Sequence, residues 1–481
     1  MNPDELILAI DVGSTWCKAA YVDRAGRIVA SGEAWVRDQR LFGHDEAALD
    51  QVWQGVIEAV REAANQIGNQ QPAAVAVAAR KAPGIWLDGA GRAVGLPQDV
   101  VSAAGRNEID ACYASPVWGE DDPFAYGYGL DLIGNTRWLW RNHPEQWARL
   151  RRVGNLHSWL VYRLTGRWVT NHAGGPVQDA WPDAVRTLTG LPSEVFPTVF
   201  PDSHVLGQLH PRAAGEIGLS LDTPIVTGTH DGAAANIGSG ALERGDACLT
   251  FGTNGVLRVI TGERLPGRFG YTITNNRWAL VRDLPDLALL LDGVVREIAG
   301  KDFQVLPEHH QELTAKAADV PSGANGLRLR LFPDSDGRTV EQAVAAGHDP
   351  VVIYRAALES VGLGFAGLVR RAREAGASPE RFVVTGGAID NELLIRITSA
   401  CLAAPISVPD GEAGLVGLAA LAATGAGWYA TVQEAVDAMG GEHQTIEAAA
   451  GEVSAYREIV SSTVLPSGAA PGDDAPVSDR A

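Results

Sequence analysis

Apolar and polar positions fall into short regular blocks near the start of the chain. Three apolar stretches, ELILAIDVG, WCKAAYVD and RIVASGEAWV, are separated by the polar and glycine turns GST and RAGR, which predicts a three-stranded antiparallel meander. Helical spacing of apolar residues follows from Ala47 to Ile67, and the small apolar run AAVAVAA at 73–79 suits a buried strand. Strand, strand, strand, helix, strand opens an α/β fold. Further on, NTRWLWRNHPEQWARLRRV and NLHSWLVYRLTGR are helical in period and rich in tryptophan. Large aromatics are most often simply buried, so these read as an aromatic face against the first domain, core or cleft wall.

The opening pattern returns near residue 246. DACLTFG, the turn TNG and VLRVIT repeat the order of LILAIDVG, ST and WCKAAYV, which predicts a duplicated domain. The second half then closes with a strand (RFVVTGG), a helix (NELLIRITSACLA), a short strand (PISVPD) and a small-residue helix (EAGLVGLAALAATGAGWY). With 481 residues, 46% of them hydrophobic, the chain exceeds one ordinary core of ~100–250 residues. We expect a first domain over 1–240, a second over 241–464, and a disordered tail at 465–481, where Pro, Gly, Ala, Ser and Asp dominate.

Charge narrows the function classes. The formal net charge is −19, from 58 acidic and 39 basic residues, which repels nucleic acid. Small phosphorylated ligands remain compatible, through backbone amides and a metal. Cys17, Cys112, Cys248 and Cys401 are scattered, so neither a zinc site nor a disulfide framework is expected and a reducing cytoplasm fits. The N-terminal MNPDELILAI is acidic where a signal peptide is basic, and no run approaches the ~18 apolar residues of a membrane span, so a cytoplasmic protein without a membrane partner is expected.

Four segments carry candidate chemistry. In AIDVGSTWCK, Asp11 ends a buried strand, and Gly13, Ser14 and Thr15 form a tight turn whose amides and hydroxyls can face a phosphate. Asp11 could hold a hydrated Mg²⁺, and Lys18 is a further phosphate candidate; an ordinary hairpin turn is the alternative. The turn at Gly252, Thr253 and Asn254 has the same chemistry at the start of the second half. In PIVTGTHDGAAANIGSGAL, an apolar strand delivers Asp231 to the start of a small-residue helix, where a carboxylate can accept the proton of an attacking hydroxyl. By local sequence alone Asp231 reads first as the helix N-cap. His230 reads as a cleft-wall histidine. In VVTGGAIDN, Gly386, Gly387 and Ala388 leave a flat surface for an adenosine, with Asn391 as a polar edge; close packing is the alternative. The letters of GxGxxG at Gly362–Gly367 follow a helical stretch, so they read as helix packing. GxxxxGK[ST], HExxH and GxSxG are all missing.

The order IDVGST, GTHDGAAANIGSGA, TFGTNG, TGGAIDN and EAGLVGLAA resembles the FGGY carbohydrate kinases of the actin-like ATPase superfamily, over about residues 5 to 430. That resemblance implies two duplicated actin-like (ribonuclease H-like) α/β domains around a central nucleotide and sugar cleft, closing on Mg-ATP and a polyol-type substrate. It implies ATP phosphates on Gly13, Ser14, Thr15, Gly252, Thr253 and Asn254, Mg²⁺ organised by Asp11, and adenosine on Gly386, Gly387 and Ala388, beside the candidates Lys18 and Asn391 read from the residues. Asp231 would be the catalytic base, matching the family's Gly-x-x-Asp as Gly228-Thr-His-Asp231. Within the family, DGAAANIGSGAL and GTNGVLRVIT look most like gluconate kinases, then xylulose kinases. Two segments depart. Where relatives carry Trp-x-Asp-x-Arg, this chain has GLPQDVVSAAGRNE, with Gln98, Asp99 and Arg106 as the nearest candidates, and His230 is grouped with them on the substrate side. The usual Gly-Glu-Arg segment is replaced by LRLRLFPDSDGRTVEQ. The expected acceptor is therefore a sugar or sugar acid, gluconate or a ketopentose such as xylulose. A superfamily ATPase with a non-sugar substrate and a non-catalytic sugar sensor are the rivals, and a homodimer is one assembly left open.

Overall fold

Strands Ile7–Val12, Trp16–Val22 and Ile28–Trp35 pair antiparallel in sequence order, as the opening alternation predicts. The computed structural model describes residues 5–13, 15–36, 46–80, 84–95, 103–119, 129–173, 181–274, 277–332 and 335–463, with the backbone only at 103–106 and 129–131. The expected tail at 465–481 lies outside the described residues. Helix Glu46–Gln66 follows the meander, and the run at 73–79 becomes the fully buried strand Val75–Ala79.

The chain divides into two compact units. The first comprises Met1–Leu242, Gly262–Trp278 and Gly411–Gly441; the second comprises Glu243–Thr261, Ala279–Asp410 and Glu442–Ala481. In the first unit, Trp16–Val22 lies antiparallel to Ile7–Val12, which is parallel to Val75–Ala79, which is parallel to Pro224–His230, which is antiparallel to Val205–Gln208. In the second, the series Gly255–Gly262, Asp246–Phe251, Arg381–Thr385, Ile406–Pro409 and His443–Ile446 repeats those relations: antiparallel, parallel, parallel, antiparallel. The duplication anticipated from two short turns thus extends to five strands of each sheet. Because the three central strands of each sheet are parallel, their C-terminal ends gather at one edge, the usual place for a ligand in an α/β sheet.

The tryptophans divide between two clusters in the first unit. Trp53 and Trp159 belong to the core beneath the sheet, with rings 6.5 Å apart edge to face. Trp86, Trp118 and Trp138 build a separate cluster with Leu139, Val153 and Phe196. The middle segment is therefore mostly core, as expected, but it makes a core of its own besides adding to the first.

Two small-residue helices flagged by composition pack on each other in this unit. Asp231–Gly238 and Ala413–Gly425 touch backbone to backbone: a Cβ on Gly238 would lie 1.8 Å from the Ala413 carbonyl oxygen, and one on Gly417 would lie 2.0 Å from that of Ala234. No side chain fits at Gly238 or Gly417, and Gly and Ala recur along both helices where they touch.

In the second unit, the GxGxxG letters lie inside the helix Pro350–Glu374. A Cβ on Gly362 would meet Ile397 at 3.0 Å, and one on Gly364 would meet Leu284 at 2.7 Å, so these glycines serve helix packing. By length and composition this helix could cross a membrane, but 89% of that apolar window is buried inside the protein, as in a core helix. The four cysteines are buried and unbonded.

Candidate active site

The strand Pro224–His230 breaks register against Val75–Ala79 between Val226 and Thr229. Gly228 makes the break, with φ +72 and so little room that a Cβ would lie 2.0 Å from the Val77 carbonyl oxygen. The bulge is held by three bonds: Gly228 N–H donates to the Asp202 carbonyl (2.8 Å), Asn171 Nδ2 donates to the Gly228 carbonyl (3.1 Å), and His157 Nε2 donates to the Thr227 carbonyl (2.7 Å). Burial pushes the His157 imidazole down to about 4, so it stays neutral and keeps that proton on Nε2.

Beyond the bulge, the structure reassigns the helix cap. His230, not Asp231, is the N-cap: its Nδ1 accepts from the Ala233 N–H at 3.2 Å, which places the neutral ring's proton on Nε2. The ring is 3% exposed and stands edge-on to Tyr271, with centroids 4.4 Å apart. Asp231 is the first helical residue. Its Oδ1 accepts from the Gly232 N–H at 2.7 Å, and the side chain is 46% exposed. The carboxylate is thus anchored by a backbone donor, lies 3.3 Å from His230 Nδ1 through the same oxygen, and is about half exposed.

Asp11 ends the neighbouring strand. Its Oδ1 is buried with no hydrogen-bond partner, and a Cβ on Gly414, at the start of the helix Ala413–Gly425, would lie 3.5 Å from its Oδ2. Desolvation first, then the charge of Asp231, raise the Asp11 carboxyl from 3.8 to about 7; Lys18 lowers it and Glu412 raises it further. Lys18, a phosphate candidate by sequence, is ion-paired with Glu412. Arg80, at the end of Val75–Ala79, completes the group: burial lowers its guanidinium to about 10, and the charge of Asp231 works against that shift. Asp11, Arg80 and Asp231 therefore stand at the C-terminal ends of three adjacent parallel strands.

A carboxyl raised this far has a measurable consequence. Between roughly pH 4 and pH 7 the folded protein holds a proton on Asp11 that the unfolded chain has lost, so stability of the ligand-free protein falls as pH rises through that window. Asp11→Asn is expected to remove this slope and to raise the melting temperature near pH 8 by about 4–10 °C, from a linkage of roughly 2–4 kcal/mol. Melting curves across that range check it.

The second unit presents its own strand ends. Thr250 and Thr385 share a hydroxyl–hydroxyl bond of 2.9 Å across Asp246–Phe251 and Arg381–Thr385, and Arg258 Nη1 donates to Thr250 Oγ1 at 2.7 Å. Gly252 N–H donates to the Asn254 carbonyl at 3.3 Å, the Thr253 carbonyl accepts from Ala288, and Asn254 Oδ1 accepts from the Asp286 N–H at 2.9 Å. Gly386 has φ +102 and presses on the end of the first of these strands, where a Cβ would lie 2.4 Å from the Phe251 carbonyl oxygen. The packing role weighed for the pair therefore belongs to Gly386. Gly387 has no atom within 4 Å of an added Cβ, and Ala388 N–H donates to that same Phe251 carbonyl. Asn391 caps the helix Glu392–Leu402 and donates Nδ2 to Thr314 Oγ1 at 3.2 Å.

The remaining candidates are less informative. Gly13 N–H closes the first turn onto the Trp16 carbonyl (3.0 Å) and Thr15 is exposed, while Ser14 lies outside the described residues, as do Gln98 and Asp99. Arg106 falls in the helix Ala103–Tyr113, where its side chain is outside the description. Sequence reading missed Arg80 and Glu412. Arg80 carries a faint signal, as the basic residue that ends the apolar run AVAVAA; Glu412 carries one as the acid just ahead of a small-residue helix.

Comparison with known proteins bears on both halves of the chain. Residues 6–107 and 133–238 match the N-terminal domain of the FGGY family of carbohydrate kinases, and residues 310–426 match its C-terminal domain. The gluconokinase of Bacillus licheniformis is 21% identical over 400 residues, covering 74% of each chain. The glycerol kinase of Nitratidesulfovibrio vulgaris is 24% identical over 470 residues, covering 90% of this chain and 92% of its own. The xylulose kinase structure from Rhodospirillum rubrum superposes with a TM-score of 0.77 at 22% identity, covering 95% of this chain and 97% of the other, a likeness of fold.

Proposed function

This chain belongs to the FGGY family of carbohydrate kinases, phosphotransferases with an alcohol group as acceptor, and we propose that it phosphorylates a hydroxyl of gluconate or of a ketopentose such as xylulose. Carbohydrate kinases take the phosphoryl group from ATP. Catalysis of such a transfer is mostly positioning and charge stabilisation, with a carboxylate to receive the hydroxyl proton as the oxygen attacks. Asp231 has that part. Its exposed carboxylate stands at the strand end, with one backbone donor on Oδ1 to fix its orientation.

The observation that carries the reading is the gathering of Asp11, Arg80 and Asp231 at one sheet edge. Arg80 offers a guanidinium beside the base, suited to a sugar hydroxyl or to the carboxylate of a sugar acid. Asp11, with a buried unpartnered oxygen and a carboxyl raised to about 7, fits a hydrated divalent cation better than it fits an empty cavity. Among the described residues no three acidic, histidine or cysteine side chains cluster as a metal cage, so Mg²⁺ would be held chiefly through Asp11 and its own water shell, where it would offset phosphate charge. The turn of Gly13 and Thr15 in the first unit and that of Gly252, Thr253 and Asn254 in the second are each proposed as phosphate contacts, with the Gly13 and Gly252 N–H groups closing their turns and the other amides left as the donors. Gly387, bare of neighbours, is the open part of the proposed adenosine surface, with Gly386, Ala388 and Asn391 shaping it.

A coupled ADP-release assay across gluconate, xylulose, glycerol, fuculose and related polyols tests the acceptor. Gluconate or a ketopentose is expected to give the highest kcat/KM. Fastest turnover of glycerol or fuculose would overturn the choice of acceptor, and ADP release indifferent to every polyol would favour a non-sugar substrate.

A further inference from the structure

A second polar site lies within the first unit. Thr229, two positions ahead of Asp231, lines a cavity together with His172, Ala173, Asp202, Thr272 and Ile273. The room inside is about 10 Å³, enough for one particle the size of a water molecule. Its walls are rich in oxygen and shielded from solvent: Asp202 is 6% exposed, Thr229 0% and Thr272 3%. The hydroxyl oxygens of Thr229 and Thr272 are buried without a hydrogen-bond partner, an arrangement that folded proteins avoid unless something fills the space between.

Asp202 is fixed in place from two sides. Its Oδ1 accepts from the Ser203 N–H at 2.9 Å, and its backbone carbonyl accepts from the Gly228 N–H at 2.8 Å. Burial raises its carboxyl to about 6, against the Ser203 amide and the charge of His172, which hold it down. The Asp202 carboxyl group and two hydroxyls without partners thus face a cavity that water barely reaches, where a cation is a fitting occupant.

We propose that the cavity binds one dehydrated monovalent cation of about the size of water, potassium first, held by the Asp202 carboxylate and the hydroxyls of Thr229 and Thr272. Carboxylate and hydroxyl oxygens are hard donors of the kind alkali ions prefer. A single carboxylate balances a single charge, and the described residues offer no cluster of three acidic, histidine or cysteine ligands for a divalent ion. A water molecule would fit the same volume but would bring no positive charge to the carboxylate. Because Thr229, His230 and Asp231 are consecutive, an ion here would stiffen the strand end that carries Asp231.

The test is thermal melting of the full chain, without nucleotide or sugar, in potassium, sodium or tetramethylammonium chloride at equal ionic strength. The buffer is held at about pH 8, above the range in which burial places the Asp202 carboxyl. Potassium is expected to raise the melting temperature above that in tetramethylammonium by about 3 °C or more, in a saturable way. An equal rise in sodium also supports the site, whereas a rise in sodium alone contradicts the assigned size. Asp202→Asn should abolish the difference between salts; should that variant fail to fold, Thr272→Val should shrink it. Identical melting in all three salts, or a difference that survives in Asp202→Asn, overturns the proposal and leaves the cavity to water.

Discussion

Replacing Gly228 by alanine is expected to destabilise the first unit by roughly 3–5 kcal/mol, enough to lower the melting temperature by about 10 °C or to leave the protein insoluble. Two costs add. A left-handed backbone at φ +72 strains any residue with a Cβ, by about 1–2 kcal/mol. The new methyl would also meet the Val77 carbonyl oxygen at 2.0 Å, and that atom belongs to the central strand Val75–Ala79, which is paired on both sides and cannot yield as a flexible side chain would. Gly387→Ala is the control: nothing lies within 4 Å and its φ is not left-handed, so its melting temperature should match the wild type. If Gly228→Ala melts with the wild type, the bulge does not constrain the fold in the way argued.

The second large effect concerns chemistry alone. Asp231→Asn is expected to lower kcat by about 10²–10⁴-fold, the usual contribution of a positioned proton acceptor. The structure makes this substitution clean. His230 caps the helix, so no cap is lost, and an asparagine oxygen can accept the Gly232 N–H as the carboxylate does. The melting temperature and nucleotide affinity should therefore stay near the wild-type values while turnover falls.

Much of the fold was legible because its signals are local. Alternation placed the first three strands within two residues of their observed ends, and the run at 73–79 was a strand because small apolar residues suit burial on both faces. Two turns with matching neighbours pointed to a duplication that the sheet order now carries through five strands per unit. The small-residue helices were visible individually, but nothing local says that Gly238 and Gly417 need each other.

The candidate site was legible in its strand ends and opaque in its pairings. Asp11 and Asp231 sit at junctions that sequence can recognise. Lys18, by contrast, meets Glu412 from 394 positions away, and neither local pattern announces it. The cap was misplaced by one residue because Asp is the commoner N-cap, while here the bulge at Gly228 sets the strand end so that His230 reaches the helix amide. Arg80 was overlooked since one basic residue after an apolar run has no distinctive pattern; only the parallel register of three strands brings it beside Asp231.

The central claim is that Asp231 receives the proton of the attacking hydroxyl, and one comparison tests it most directly. Phosphorylated product is measured per mole of enzyme for wild type and Asp231→Asn, with the best acceptor from the ADP-release screen and with ATP binding followed by calorimetry on the same samples. The account predicts ATP affinity within about twofold of wild type and product formation reduced at least 10²-fold. Undiminished phosphorylation by Asp231→Asn would contradict it.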